Sequence, residues 1–279
     1  ARFLVDLPAP NADLAAKYGM DEKAVAEKIL GLARRGLVIA SDKGMDFPRD
    51  SATLHDNMFS SRPEYIPPGM DKLWMELYEN EGWAEEIGNM LASLGVRVLR
   101  TIPVRNSLAS ATELLPYESV PAIIEGHQDL ITVRNCCCRT NAKKCDHPTN
   151  VCMQFGKRAE YDLYRGSGRK VSADEAMAVA LEAGNSGLVP TVTNVANVEG
   201  LDFICFCCGC CCLIINPGLK VGKLDKILAP SRFVAEVDND KCNGCGDCVT
   251  QCSVDAIEMK EISALGEERA VIDTDKCLG

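Results

Sequence analysis

Sixteen of the 279 residues are cysteine, and all lie between positions 136 and 277. One group is FICFCCGCCCLI, which packs Cys205, Cys207, Cys208, Cys210, Cys211 and Cys212 into eight positions. Another is NCCCRTNAKKCDHPTNVC, with Cys136, Cys137, Cys138, Cys145 and Cys152. The third is KCNGCGDCVTQCSVDAI, with Cys242, Cys245, Cys248 and Cys252, followed by a single Cys277. Thiolates are soft ligands that select zinc, copper(I) and iron–sulfur clusters. Disulfides suit exported chains, whereas the N-terminus ARFLVDLPAPNADLAAKYG has no charged-then-apolar signal pattern. Metal ligation in a cytoplasmic setting is therefore the expectation.

The third group is the most specific. Its C-x2-C-x2-C-x3-C spacing is the bacterial ferredoxin run for a [4Fe-4S] cube. The small residues between its first cysteines let the backbone wrap a cube and aim amides at sulfur. Such runs come in pairs and exchange their fourth cysteine, so Cys242, Cys245 and Cys248 are expected on one cube and Cys252 on a second. DTDKCLG echoes DNDKCNG and opens the second run at Cys277, from which we expect the given sequence to be truncated. Ser253 stands where the run usually carries Pro.

The first two groups match no paired C-x2-C zinc ribbon. Neighbouring side chains of an extended chain point to opposite faces, so alternate cysteines are expected to ligate. Eleven thiols exceed the need of two cubanes. The expected ligands are Cys136, Cys138, Cys145, Cys152, Cys205, Cys207, Cys208, Cys210 and Cys211, as iron ligands in one pocket shared by both groups. Cys137 and Cys212 are left as plain buried thiols. His147 is read as a hydrogen-bonding turn residue, and His55 and His127 as ordinary.

The elements that must hold these thiols are legible in outline. Residues 1–47 read as a winged-helix-like unit: a helix capped by Asn11, a second capped by Asp21 with Val25, Ile29, Leu32 and Ala33 on one face, and a hairpin around Asp42, Lys43 and Gly44. Residues 48–135 read as a linker, Pro-rich as far as about residue 70, followed by one long helix from Asp71 through Leu94, a strand in VRVLRTIPV, a short helix in PYESVPAIIEGH and the strand LITVR. Trp74 and Trp83 are expected in the core. Residues 136–232 read as a mixed helical Cys-rich domain with a capping box at Ser172 and Glu175 and extended segments at GLVPTVTNV and LDFICF. Residues 233–279 form a ferredoxin-like half-domain with short strands in AIEMKEI and ERAVIDTDK. The fold class is multidomain α+β.

Other residues carry the resemblance further: Cys136, Cys138-Arg139, Cys145-Asp146, Pro148, Cys152, Phe155-Gly156, Ala159-Glu160-Tyr161, Gly168-Arg169, Ser172, Glu175-Ala176, Gly187-Leu188-Val189, Asn197 and Cys205 through Cys212. Over nearly its whole length the chain resembles a family of anaerobe iron-sulfur proteins. These have a winged-helix-like N-terminal domain, a Cys-rich middle and a closing two-cluster ferredoxin domain. The resemblance implies [4Fe-4S] clusters: two in the ferredoxin domain when its second run is complete, and one or two in the middle. It also implies electron transfer, and supplies no reaction.

Composition limits the alternatives. A net charge of −10 argues against general nucleic-acid binding. In residues 1–45, seven basic residues nearly balance six acidic ones, a weak footprint for DNA. No run approaches the roughly 18 apolar residues of a membrane span. No Ser-His-Asp set or dinucleotide fingerprint is visible. The expected role is an electron carrier or the electron-wiring subunit of an oxidoreductase complex, with a redox partner protein or a second copy as partner, and not itself an enzyme. The alternatives are a redox-sensing regulator with a DNA-binding winged helix, a catalytic cluster in the middle domain, and a thiolate metal store.

Overall fold

The structure is a computed structural model and describes residues 2–41, 43–48, 50–103, 108, 113–262 and 267–278. Asp42, Val104 and Gly279, each part of an expected feature, lie outside them.

The N-terminal elements are α1 (Asn11–Tyr18), α2 (Glu22–Arg34) and a hairpin of β1 (Ile39–Ser41) with β2 (Gly44–Asp46). The Asp21 carboxylate accepts from the Ala24 amide and starts α2. Asn11 is not a cap but the first helical residue, behind Pro10. The expected linker contains a further helix, α3 (Ser51–Phe59), whose first turn is held by Asp50 accepting from Thr53 N at 2.7 Å. The single helix expected from Asp71 to Leu94 is two: α4 (Met70–Glu79) and α5 (Trp83–Ser93). They separate at Gly82, whose φ of 74° takes the left-handed turn that a continuing helix forbids. Trp74 and Trp83 are buried against each other, with ring centroids 5.3 Å apart.

Next come β3 (Leu99–Thr101), α6 (Val120–Gly126), β4 (Ile131–Arg134), α7 (Cys137–Ala142), β5 (Cys152–Phe155), α8 (Gly156–Arg165), β6 (Gly168–Val171), α9 (Ala173–Asn185), β7 (Val189–Thr193) and β8 (Phe203–Cys207). The chain continues through α10 (Ile215–Lys220), α11 (Leu224–Ile227), β9 (Leu228–Ala229), α12 (Asp247–Gln251), β10 (Ile257–Ile262) and β11 (Glu267–Ile272). The capping box of α9 is formed: Ser172 Oγ accepts from Glu175 N at 3.2 Å, and Glu175 answers Ser172 N at 2.9 Å.

The Cys-rich region is organised by a sheet rather than by the mixed helical packing expected for it. Seven strands run in the order β6-β4-β5-β8-β7-β3-β9, antiparallel except for the β3–β9 pair. Strands before and after Cys136 share this sheet. Ile131, Val133, Met153, Phe155, Ile204 and Phe206 lie in one buried cluster with Ile123 and Ile124 of α6 and Ala176, Ala180 and Ala183 of α9. Each such large apolar side chain contributes about 1.5–3 kcal/mol through burial. The alternate positions of β4, Thr132 and Arg134, turn to the other face and meet Asp162 of α8.

Candidate metal centres

Central strands bring the first two cysteine groups together. On β8, Cys205 and Cys207 are two residues apart and share a face. Met153 of β5 pairs with Ile204 of β8, so one step further along the register Cys152 comes beside Cys205. Cys136 precedes α7 and is fixed by its amide donating to Thr149 O at 2.7 Å. Cys212 ends the turn that follows β8.

Six thiols close a ring. Cys136 interacts electrostatically with Cys138 and Cys152, Cys152 with Cys205, Cys205 with Cys207, Cys207 with Cys212, and Cys212 with Cys138. Thiol donors on either side, Cys138 and Cys152, hold Cys136 well below the ordinary thiol range. Cys138 and Cys207 do the same for Cys212. Backbone amides add to this: Leu213 N donates to Cys138 Sγ at 3.4 Å, and Ile214 N and Ile215 N donate to Cys212 Sγ at 3.4 and 3.5 Å. Cys136, Cys152, Cys207 and Cys212 are buried and Cys138 and Cys205 half-buried, with Ile214 and Ile215 among the apolar neighbours of Cys207 and Cys212. Cys212, not among the expected ligands, is thus part of the ring. Cys137 lies outside the ring, with its Sγ 3.6 Å from Cys138 Sγ, and also interacts with the Asp56 carboxylate. A hydrogen bond from Cys138 favours its thiolate, but burial and the Asp56 charge outweigh it and push the thiol up to about 11.

A second nest lies beside the ring. Cys145, Cys208, Cys210 and Cys211 have all their sulfurs within 4.8 Å of one another. The expectation of one shared pocket is therefore replaced by two groups, of six and four thiols. Arg139 stands between them. Its Nη1 donates to Phe206 O at 2.8 Å and lies 3.9 Å from Cys208 Sγ, and its Nε donates to Pro148 O at 3.1 Å. No carboxylate pairs with it among the described residues, so its charge serves the sulfurs.

The third group stands apart, with Cys245 and Cys248 exposed. Amides of Ala270 and then Gly244 hold Cys242 below the ordinary thiol range. Ala256 N donates to Cys252 Sγ at 3.2 Å. Thiol donors backed by amides fit a cluster that carries negative charge. Cys252 and Cys277 pack into one apolar cluster with Cys205, Cys207 and Cys212 of the ring. Ser253 Oγ donates to Gly187 O at 2.8 Å, and Ser231 N and Thr101 Oγ1 both donate to Leu278 O at 2.7 Å. These bonds fasten this segment to the sheet.

Residues 234–257 match the family model of a 4Fe-4S binding domain. No curated protein and no solved structure matches the chain. The 4Fe-4S domain and the cysteine nests together mark an iron–sulfur protein that binds 4Fe-4S clusters and has a redox or electron-transfer role. Among the described residues no helix is long and apolar enough to cross a membrane.

Next to the ring, at Cys152, lies a polar site that sequence reasoning missed. Arg134, buried opposite Cys152 in the β4–β5 register, donates to both Asp56 oxygens at 3.0 and 2.9 Å and to Asp162 at 3.5 Å. Burial disfavours the Asp56 carboxylate, but the Arg134 guanidinium outweighs it and holds the group below its usual range. Arg165 is fully buried and donates to Asn57 O at 2.6 Å and Ser61 Oγ at 3.2 Å. Arg134, Gln154 and Asp56 line a pocket of about 860 Å³ that reaches the β1–β2 hairpin. His55, read as ordinary, is fully buried among Phe59, Trp74 and Trp83, with Nε2 2.9 Å from Asn141 Nδ2. The only sequence signal for this group was the Arg that ends the strand LITVR.

Proposed function

We propose that the chain is an electron-wiring protein that joins the 4Fe-4S domain to the six-thiol ring and, through the ring, to a redox partner protein. The observation that carries this reading is the packing of Cys252 and Cys277 in the same apolar cluster as Cys207 and Cys212. Clusters, when bound, supply one-electron transfer at potentials set by charge, hydrogen bonds and exposure. The chain's own residues do the rest. Cys242, Cys245, Cys248, Cys252 and Cys277 supply the 4Fe-4S domain's thiols, and Cys136, Cys138, Cys152, Cys205, Cys207 and Cys212 supply the ring. The amides of Leu213, Ile214 and Ile215 place positive dipole ends against ring sulfurs. Val254, Ala256 and Leu278 keep water from the seam between domain and ring.

The proposed organisation is a helix–helix–hairpin unit of winged-helix type over 1–47, the segments 48–135 and 136–232 that contribute to the sheet, and the ferredoxin domain from 233, in a cytoplasmic, anaerobic setting. For the first unit a docking role suits its balanced charge better than DNA binding. A second reading, reduction of a small molecule, is favoured by one observation: Arg134 faces the pocket and sits across from ring Cys152.

The test is iron and acid-labile sulfide per chain on protein prepared without oxygen, followed by a stepwise reductive titration read by electron paramagnetic resonance. Eight or more irons with matching sulfide, and spin coupling between centres, are expected. Four irons or fewer, or signals that titrate with no mutual coupling, would sink the wiring reading.

A further inference from the structure

The four-thiol nest differs from the ring in more than number. Its sulfur–sulfur distances include Cys145–Cys208 at 3.9 Å, Cys145–Cys211 at 3.8 Å and Cys210–Cys211 at 3.6 Å, and no pair exceeds 4.8 Å. A zinc–thiolate bond of about 2.3 Å in a regular tetrahedron sets sulfurs about 3.8 Å apart. Placing a four-iron cube between the same thiolates pushes them to roughly 6 Å, because each Fe–S bond then starts from a corner of the cube. The nest has the dimension of a single ion.

We propose that Cys145, Cys208, Cys210 and Cys211 bind one zinc ion as a closed tetrathiolate site, distinct from the iron–sulfur centre of the ring. Four thiolates fill a tetrahedral shell and leave no open position, which is the pattern of structural zinc. Four thiolates and a divalent ion carry two net negative charges, and Arg139 Nη1 lies 3.9 Å from Cys208 Sγ to offset them. Cys208 and Cys211 are buried in the main core, while Cys145 and Cys210 sit at its half-exposed edge.

The site acts as a clip. Cys145 belongs to the loop after α7, and the other three belong to the turn after β8. Cys207 and Cys212, which flank those three, belong to the ring. Fixing the turn with a redox-inert ion therefore fixes two ring sulfurs. This assignment does not depend on the wiring reading: zinc content is indifferent to whether the ring exchanges electrons with the 4Fe-4S domain.

The experiment is zinc and iron analysis, with X-ray absorption at both edges, on the full chain prepared without oxygen from cells supplied with both metals. We expect about one zinc per chain, with four sulfur neighbours at about 2.3 Å and no metal–metal scattering. Cys145→Ala should lower zinc to below about a fifth of that while leaving iron and sulfide unchanged. Where Cys145→Ala does not fold, Cys210→Ala serves in its place, and the absorption spectrum of the unaltered protein needs no variant. Absence of zinc, mononuclear iron in its stead, or loss of iron and sulfide in step with Cys145→Ala would overturn the assignment.

Discussion

Gly209 and Ser253 meet so closely that a Cβ on Gly209 would lie 1.9 Å from the Ser253 carbonyl oxygen. The missing side chain within CCGCCC is what lets the 4Fe-4S run seat against the turn carrying four of the second group's cysteines. The contact is to backbone, so it cannot be relieved by turning a side chain. Gly209→Ala should cost about 1–3 kcal/mol or lift the 4Fe-4S domain from the sheet. Differential scanning calorimetry should show a midpoint lowered by about 2–4 °C per kcal/mol, with faster proteolysis after Phe233. Gly31→Ala is the control: it has open space within a helix and should stabilise by roughly 0.5–1 kcal/mol. A Gly209→Ala protein as stable and protease-resistant as the parent would refute the seating.

The ring separates two adjacent-looking thiols. Cys212→Ala should remove iron from the middle region, because each ring sulfur bridges two neighbours. Cys137→Ala should keep its iron, because that thiol stands outside the ring, beside Cys138 and Asp56. Iron per chain in the two variants is the measurement, and equal losses would show that the ring is misassigned.

Asp162 lies beside two buried guanidiniums. It accepts from Thr132 at 3.1 Å, Ser167 at 2.9 Å and Arg134 at 3.5 Å, with Arg165 Nε at 3.8 Å. Asp162→Asn leaves those cations short of charge, and denaturant titration should report a loss of about 3–5 kcal/mol. Arg62→Ala, which breaks an exposed pair with Glu64 at 3.5 Å, should change stability by less than about 0.5 kcal/mol.

His55 makes stability pH-dependent. Burial drives its pKa down to about 4 in the folded chain, against about 6.5 unfolded. Below pH 6.5 the unfolded state takes a proton that the folded state refuses, so stability is full above that pH and falls as pH drops toward 4. The loss is on the order of 3 kcal/mol. Denaturation midpoints at pH 7 and 5 should diverge more in the parent than in His55→Gln. Identical pH dependence in the two proteins would remove His55 from the account.

These residues also show what a sequence discloses. The run from Cys242 to Cys252 was readable because its ligands are local, and their spacing is itself the geometry. Helix α2 and the capping box at Ser172 and Glu175 were readable for the same reason. The sorting of the eleven thiols of the first two groups was not. Alternation between faces holds for Cys205 and Cys207 on β8, but the chain leaves the strand at Cys208, and in the turn the two-residue period no longer applies. Cys212 therefore joins the ring and Cys208 does not, which no local pattern announces. Helix α3 was hidden by the prolines that follow it, and the buried arginines by partners more than twenty residues away in sequence.

Between Cys205 and Cys212 the chain is a ruler as much as a ligand set. Its sulfurs are dealt to two destinations by position alone: 205, 207 and 212 to one, 208, 210 and 211 to the other. Exchanging Leu213 or Phe206 for another apolar residue leaves that dealing intact. Adding or deleting a single residue anywhere in the stretch transposes every sulfur beyond the change and sends thiols to the wrong destination. Length, not composition, is what this segment can least afford to vary.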